Sequence, residues 1–249
     1  MPLEPIDLHK AAILLDVDGT ILDIAPTPHD VQVPETLRAT LTQVSHRVGG
    51  ALALVSGRPI GDLDFIFAPM RLAAVGGHGA EIRPTPNGGM FGQRATSLDR
   101  DMKRALAQIA SRHECVGFED KGYSVALHYR LALDQGLDVV DEVFRACKPF
   151  PPSSYELLTG KAVIEVKSPG FDKGTAVREL MTYPPFTGRM PVFIGDDTTD
   201  EAAFAVMPEF DGLAISVGRK VLGVSARFQT PHDVRQWLER LGTEVAAAS

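Results

Sequence analysis

Short, almost wholly apolar runs at residues 11–15, 51–55, 72–75, 191–194 and 213–217 constrain the fold of this chain more than any other feature. Runs of four or five residues without polar alternation read as strands buried on both faces, the pattern of a parallel sheet covered by helices. The intervening segments agree. Residues 34–47, 173–180 and 199–206 read as helices, and Thr230-Pro231 places an N-cap before a proline at the first position of a last helix that reaches Leu241. The expected fold class is α/β, with a Rossmann-like parallel sheet as its core. In such sheets ligands lie outside the carboxyl ends of the strands, at the topological switch point. Asp16, Ser56 and Asp196 each follow such a strand directly or nearly so, which assigns them to one neighbourhood.

The middle of the chain departs from this rhythm. Leu98, Met102, Leu106 and Ile109 share one helical face, and strand-like runs follow at 115–119 and 124–130. Leu137, Val140, Phe144 and Cys147 then mark the apolar face of a second helix, with further runs at 155–158 and 162–166. Helix–strand–strand is written twice, which predicts a small antiparallel sheet with two helices on one face. The expected organisation is a core in two parts, residues 1–94 and 168–249, interrupted by an inserted α+β cap domain at 95–167, with linkers near Arg94 and Ser168. Alternation sorts the cap side chains. Val125, Leu127 and Tyr129 share one face while Ser124, Ala126, His128 and Arg130 share the other, and Ile164 and Val166 oppose Lys161, Val163 and Glu165. The polar sets describe an open face that is either solvated or built to recognise a polar substrate.

Composition excludes several functions. A net charge of −7 offers no basic footprint for nucleic acid, so any phosphate recognition has to be local. The two cysteines, Cys115 and Cys147, lack CxxC spacing, which argues against a disulfide framework or a zinc site and fits a reducing compartment; both read as core filler. Residues 1–10 are mixed polar with no apolar signal region, and no run of about 18 apolar residues occurs, so a cytoplasmic protein without a membrane partner is expected.

Four segments carry chemistry. Asp16-Val17-Asp18-Gly19-Thr20 sets two carboxylates and a glycine turn at the mouth of the first strand, suited to a hard cation such as Mg2+ or to attack on phosphorus by one carboxylate while the other handles protons. Ser56-Gly57-Arg58 ends the second strand in a hydroxyl that can donate to a phosphoryl oxygen. Lys173 opens a helix and offers a point charge to a transferring phosphoryl group. Gly195-Asp196-Asp197-Thr198-Thr199-Asp200-Glu201 places three acids within five positions, which repel one another unless a cation sits among them; Thr198 and Glu201 also fit a capping box, and Asp200 is as well suited to orienting a neighbour or the helix terminus.

The order and separation of these segments closely resemble the haloacid-dehalogenase-like phosphohydrolases. Three further stretches, Gly76-Gly77-His78-Gly79-Ala80-Glu81, the run from Glu119 to Arg130, and Gly160-Lys161-Ala162-Val163-Ile164-Glu165-Val166, are similar to the trehalose-6-phosphate phosphatase family, a likeness that extends from Ala12 to about Leu241. The resemblance implies a phosphoric monoester hydrolase, Mg2+-dependent, acting on trehalose 6-phosphate. It implies Asp16 as nucleophile, Asp18 as acid and base, Ser56 and Lys173 on the phosphoryl oxygens, and a metal held by Asp16, the Asp18 carbonyl and Asp196 with support from Asp197 or Asp200. Gly57, Glu119, Lys121, His128, Tyr129, Arg130, Lys161 and Glu165 fall to substrate binding. Arg58 touches phosphate or pairs with a core carboxylate. His78 and Glu81 contact the sugar or shape the hinge, and His78 is equally well read as a satisfied structural histidine. A monomer with no partner beyond its small-molecule substrate is expected.

Related sugar-phosphate phosphatases and a sugar phosphomutase share the core motifs, and the cap stretches separate them. A dead phosphatase fold used for binding is opposed by intact Asp16, Asp18, Lys173 and Asp196, and a dinucleotide binder by the absence of GxGxxG after the first strand.

Overall fold

The computed structural model describes residues 6–25, 27, 30–90 and 95–243, which fall into two compact units. One unit comprises Met1–Ile24, Val31–Gly92 and Asp172–Ser249, the other Ala25–Asp30 and Gln93–Phe171. The linker expected near Arg94 lies outside the described residues.

The first unit is built on β1 (Ala11–Leu15), α1 (Glu35–Arg47), β2 (Leu52–Val55), α2 (Ile60–Phe67), β3 (Ala73–Gly76) and β4 (Glu81–Arg83). The second is built on α3 (Arg100–Arg112), β5 (Gly117–Asp120), β6 (Ser124–His128), α4 (Gly136–Cys147), β7 (Glu156–Gly160) and β8 (Val163–Lys167). The chain then returns to the first unit with α5 (Lys173–Leu180), β9 (Met190–Gly195), α6 (Glu201–Val206), β10 (Leu213–Val217), β11 (Ala226–Phe228) and α7 (Pro231–Thr243).

The large sheet runs β11-β10-β9-β1-β2-β3-β4, all parallel except for β4. β1, β2 and β9 are buried almost throughout, as the absence of alternation requires. Each leucine or isoleucine that leaves water there contributes about 2 kcal/mol. The chain steps from β1 to β2 on one side and later reaches β9 on the other, so Leu15 lies between Leu54 and Ile194. β1 is therefore the switch point, and its carboxyl end is where a ligand site is expected.

Three elements of this sheet layer escape the sequence pattern. α2 is a short helix containing Gly61, and its first free N–H, at Ile60, is satisfied by the Glu81 carboxylate at 2.7 Å, a tertiary cap that local patterning does not reveal. β4 and β11 are three-residue edge strands. The helix expected at 199–206 is split into a 3-10 turn, Thr198–Asp200, and α6, and the reciprocal cap is made by Asp197 and Asp200 rather than by Thr198 and Glu201.

The second unit is an antiparallel sheet, β5-β6-β8-β7, with α3 and α4 packed on one face. Leu98, Met102, Leu106, Ile109, Val125, Leu127, Ile164 and Val166 form its core, as alternation requires. α4 differs from expectation. It buries Val139, Val143 and Cys147, whereas Leu137 and Phe144 are exposed and Val140 is only half-buried. The helix carries two adjacent apolar stripes, and the sheet covers only one. Cys115 also departs from the reading as core filler, being exposed in a left-handed turn; Cys147 is buried, and burial pushes its thiol up to about 11.

Candidate active site

The site stands at the carboxyl end of β1. Asp16 continues the strand, with its N–H donating to the Ile194 carbonyl. The turn that follows needs Gly19, whose φ is +87° and where a Cβ would lie 2.2 Å from Asp196 Oδ2. That absent side chain lets the loops after β1 and β9 approach. Thr20 Oγ1 spans them, 2.9 Å from Asp16 Oδ2 and 3.3 Å from Asp196 Oδ1.

Lys173 reaches this point from the first turn of α5. Asp172 and Thr175 form a reciprocal capping box that fixes where the helix starts, a role for Asp172 that sequence reading missed. At Gly174 a Cβ would lie 2.3 Å from the Ala202 carbonyl, so α5 packs against α6 closely enough to bring the lysine in. Lys173 Nζ donates to Asp16 Oδ1 at 2.8 Å and to Asp200 Oδ1 at 2.6 Å, and all three groups are buried. Burial opposes the lysine's charge, yet the two carboxylates outweigh it and raise its pKa. Burial pushes Asp16 up to about 6 against the pull of Lys173, with Asp200 and Asp18 adding to the rise, and burial likewise raises Asp200.

Asp16, Asp196 and Asp200 each offer an oxygen within 4.8 Å of the others. The all-oxygen donor set of three buried carboxylates suits a hard divalent cation such as Mg2+. The other acids expected at the metal are placed differently. Asp197 turns away, its side chain accepting from Thr198 N at 2.7 Å, so of the pair left open by sequence it is Asp200 that joins the cluster. Asp200 Oδ2 is in turn held by the N–H groups of Asp196 and Asp197, both at 2.9 Å. The Asp18 carboxylate is outside the cluster too, gripped bidentately by Arg58 at 2.6 and 2.8 Å, so Arg58 pairs with a core carboxylate, the second of its two readings.

Ser56, buried at the end of β2, accepts from Arg58 N at 3.1 Å and keeps its hydroxyl proton for another acceptor. Gly57 is a close approach: a Cβ there would lie 2.4 Å from His78 Nε2. His78 sits just beyond β3 at a left-handed φ of 56°, and Glu81 spends one carboxylate oxygen on the cap of α2. Arg219, absent from the sequence reading, follows β10 and binds the carbonyls of Asp196 at 3.0 Å and Asp197 at 2.9 Å, with Glu201 as its counter-ion at 2.6 Å. Its only sequence signal is its place directly after Gly218 at a strand end.

The second unit collects most of the remaining residues on the sheet face opposite its helices. Lys121 Nζ lies 3.2 Å from Glu165 and 4.0 Å from Glu119, Ser124 Oγ donates to Glu165 at 2.6 Å, and His128 meets Glu119 at 2.9 Å. Burial raises the Glu119 carboxyl, but His128 and Lys121 more than offset it and hold the group low. The face is less open than alternation suggests: Ser124, Ala126 and Glu165 are buried, and its charges pair with one another. Tyr129 is not on this face. It packs on the helix-covered side, against the start of α4, where a Cβ at Gly136 would lie 2.9 Å from its ring. Arg130 is turned to the backbone carbonyls of Ala25 and Lys161, and Lys161 is exposed in the β7–β8 turn.

A parallel sheet with paired acids after its first strand, an invading lysine and an acidic loop after β9 has the fold of the haloacid-dehalogenase-like phosphatases. The fold agrees with solved structures of that class: the C-terminal domain of Candida albicans trehalose-6-phosphate phosphatase matches with a TM-score of 0.84 at 20% identity, over 95% of this chain and 93% of that one. A phosphatase of the haloacid dehalogenase superfamily from Bacteroides thetaiotaomicron matches with a TM-score of 0.60 at 17% identity, over 96% and 98%. The trehalose-phosphatase family model matches residues 14–231. A probable trehalose-phosphate phosphatase of Sinorhizobium fredii is 40% identical over 86% of this chain and 80% of its own length, and the trehalose-6-phosphate phosphatase of Escherichia coli is 35% identical over 94% and 87%. The chain belongs to the trehalose-phosphatase family and is a phosphoric monoester hydrolase. No helix among the described residues is long and apolar enough to cross a membrane.

Proposed function

We propose that this chain hydrolyses trehalose 6-phosphate to trehalose and phosphate through a phosphoryl group carried on Asp16, in the cytoplasm, as the last step in making the sugar. The observation that carries this reading is the contact of Lys173 with Asp16 and Asp200 beside Asp196, which collects a nucleophile, a fixed positive charge and a cation site at one strand end.

The Asp16 carboxylate attacks phosphorus as the sugar oxygen leaves. Asp18 gives that oxygen its proton, which requires one of its oxygens to release Arg58. Asp18 then takes a proton from the water that attacks the same phosphorus and frees Asp16. Lys173 and the Ser56 hydroxyl hold the phosphoryl oxygens as their charge grows. Asp16, the Asp18 carbonyl and Asp196 would hold Mg2+, oriented by Asp200; when bound, the ion neutralises phosphate charge and fixes the line of attack. Glu119, Lys121, His128 and Glu165 of the inserted cap read the sugar hydroxyls, for which a dense set of donors and acceptors is the fitting complement.

Phosphate release from a panel of sugar phosphates, with and without Mg2+, tests the reading. Trehalose 6-phosphate should be preferred, and Asp16→Asn should lose at least about 1000-fold in kcat while keeping the fold. No preference for trehalose 6-phosphate would refute the substrate, and undiminished turnover in Asp16→Asn would refute the nucleophile.

A further inference from the structure

Lys167 is buried at the end of β8, yet no step of the phosphoryl chemistry uses it. Register places it between Ser124 of β6 and Glu156 of β7, and alternation sets it on the same sheet face as Glu165, two residues before it. Its ammonium has three donors, and three acceptors take them. Nζ donates to the Phe171 carbonyl at 2.6 Å and to the Ser168 carbonyl at 3.4 Å, and it pairs with Glu156 Oε2 at 2.5 Å. It also lies over the Phe171 ring, 4.1 Å from the centroid. With its donors so placed, Lys167 has none left for a ligand. A buried ion pair is a weak source of stability, since apolar side chains of similar volume often do as well, so a charge at this position is explained by what it holds.

Lys167 holds the chain that leaves the inserted unit. Residues 168–171 are tied to that unit from end to end. Ser168 N donates to the Tyr123 carbonyl at 2.9 Å and Gly170 N to Glu156 Oε1 at 3.4 Å, while the Phe171 ring packs edge-on against Tyr123 with centroids 5.8 Å apart. The next residue is tied to the other unit. Asp172 closes the capping box of α5 with Thr175, and its carbonyl sits where a Cβ at Gly79 would lie 2.3 Å away. The return crossing is thereby narrowed to one link, Phe171–Asp172, immediately before Lys173.

We propose that Lys167 is a positioning residue that makes residues 168–171 a stiff strap of the inserted unit, leaving the return crossing to pivot at Phe171–Asp172 alone. Its effect on turnover rests on the proposed sugar-reading role of that unit's polar face. A substrate gripped by one unit while it reacts in the other is turned over well only when the link between them restricts what they sample, because small misplacements of reacting atoms are costly. Hinges absorb their change at a few positions, and here that position adjoins the cap of the helix that carries Lys173.

Hydrogen exchange and kinetics of Lys167→Met in the full chain test this, since methionine keeps a long flexible stem and loses the donors. The amides of Ser168 and Gly170 should exchange at least about tenfold faster, while those of β6 and β8 keep the parent rates. For trehalose 6-phosphate kcat/KM should fall about tenfold, with kcat and KM both changed, whereas for a small aryl phosphate it should change less than about twofold. Phe171→Leu removes the ring and leaves the carbonyl bond, so it should move both readouts the same way by less, and it serves if Lys167→Met does not fold. Unchanged exchange at Ser168 and Gly170 overturns the proposal. Equal acceleration throughout β6 and β8 also overturns it, by making Lys167 a support of its own sheet and nothing more. Faster exchange at the strap with undiminished turnover of trehalose 6-phosphate overturns the positioning role. A parent chain without preference for trehalose 6-phosphate refutes the sugar reading instead, and the exchange result then still decides whether Lys167 holds the strap.

Discussion

Individual side chains in this site are held by one another and by groups with no part in the chemistry. Asp16 and Asp200 keep their positions through Lys173, Lys173 through the cap at Asp172, and Asp196 through the turn at Gly19. Arg219 acts at one further remove. By binding the carbonyls of Asp196 and Asp197 it fixes the backbone that aims the Asp196 carboxylate, while Glu201 neutralises its charge. A planar fork can hold two carbonyls at once and an ammonium cannot do so in the same geometry. Arg219→Lys should therefore weaken Mg2+ binding about tenfold, the scale found for groups that orient metal ligands, with little change in melting temperature. Titration calorimetry with Mg2+ reads this without relying on turnover, and unchanged affinity in both Arg219→Lys and Arg219→Ala would remove Arg219 from the site. Such residues are poorly legible in sequence. Asp16, Ser56, Lys173 and Asp196 declare themselves because each stands at the end of a strand or the start of a helix. Arg219 works through backbone carbonyls more than twenty residues away, so its place after Gly218 at a strand end does not report what it binds.

Among elements, legibility follows how much of the environment is local. β1, β2, β9 and β10 are plain in sequence because burial on both faces removes every polar residue but Ser216. α4 is visible as a helix but its buried side is not: two apolar stripes compete, and only the position of the sheet selects Val139, Val143 and Cys147. α2 depends on tertiary partners at both its ends. Glu81 caps its start, and near its end Asp64 forms a bidentate pair at 2.6 Å with the buried Arg83 of β4, tying helix to edge strand. Hydrogen bonding from Arg83 is the largest influence on Asp64 and holds its carboxyl below the ordinary 3.8, a shift that burial only partly opposes. A lowered folded pKa means that the unfolded chain takes up the proton first. The stabilisation is therefore complete above the ordinary value and lost as pH falls through the lower folded value. Asp64→Asn should cost about 3 kcal/mol at neutral pH, since it leaves the buried Arg83 charge uncompensated. Its deficit relative to the parent chain should shrink as the pH drops below 3.8, a convergence that urea denaturation curves at neutral and acid pH can follow. A deficit independent of pH would mean that the pair acts through packing alone.

At the scale of the whole molecule the proposed function divides recognition from reaction. The acids and lysine that suit phosphoryl transfer all belong to the unit built on the large sheet, while Glu119, Lys121, His128 and Glu165 belong to the antiparallel unit inserted into it. The insertion is legible because its periodicity changes from buried strands to alternating ones, but the crowding of its polar face is not, since it arises from charges pairing across β5, β6 and β8. A site of hydrogen-bonding groups discriminates strongly, because a ligand that fails to replace the partners it displaces leaves them buried and unpaired. An aryl phosphate makes no such demand and needs only the reacting centre. Glu119→Gln and Lys121→Met should therefore lower kcat/KM for trehalose 6-phosphate about 100-fold while changing that for a small aryl phosphate less than about threefold. The aryl phosphate reports at the same time that the reacting centre is intact, so a loss through misfolding is separated from a loss of recognition. Asp18→Asn should do the opposite and depress both substrates, though the aryl ester less, because its leaving oxygen needs a proton less urgently than an alkoxide does. Equal losses on the two substrates in the cap variants would place those residues in the chemistry and dissolve the division between the two units.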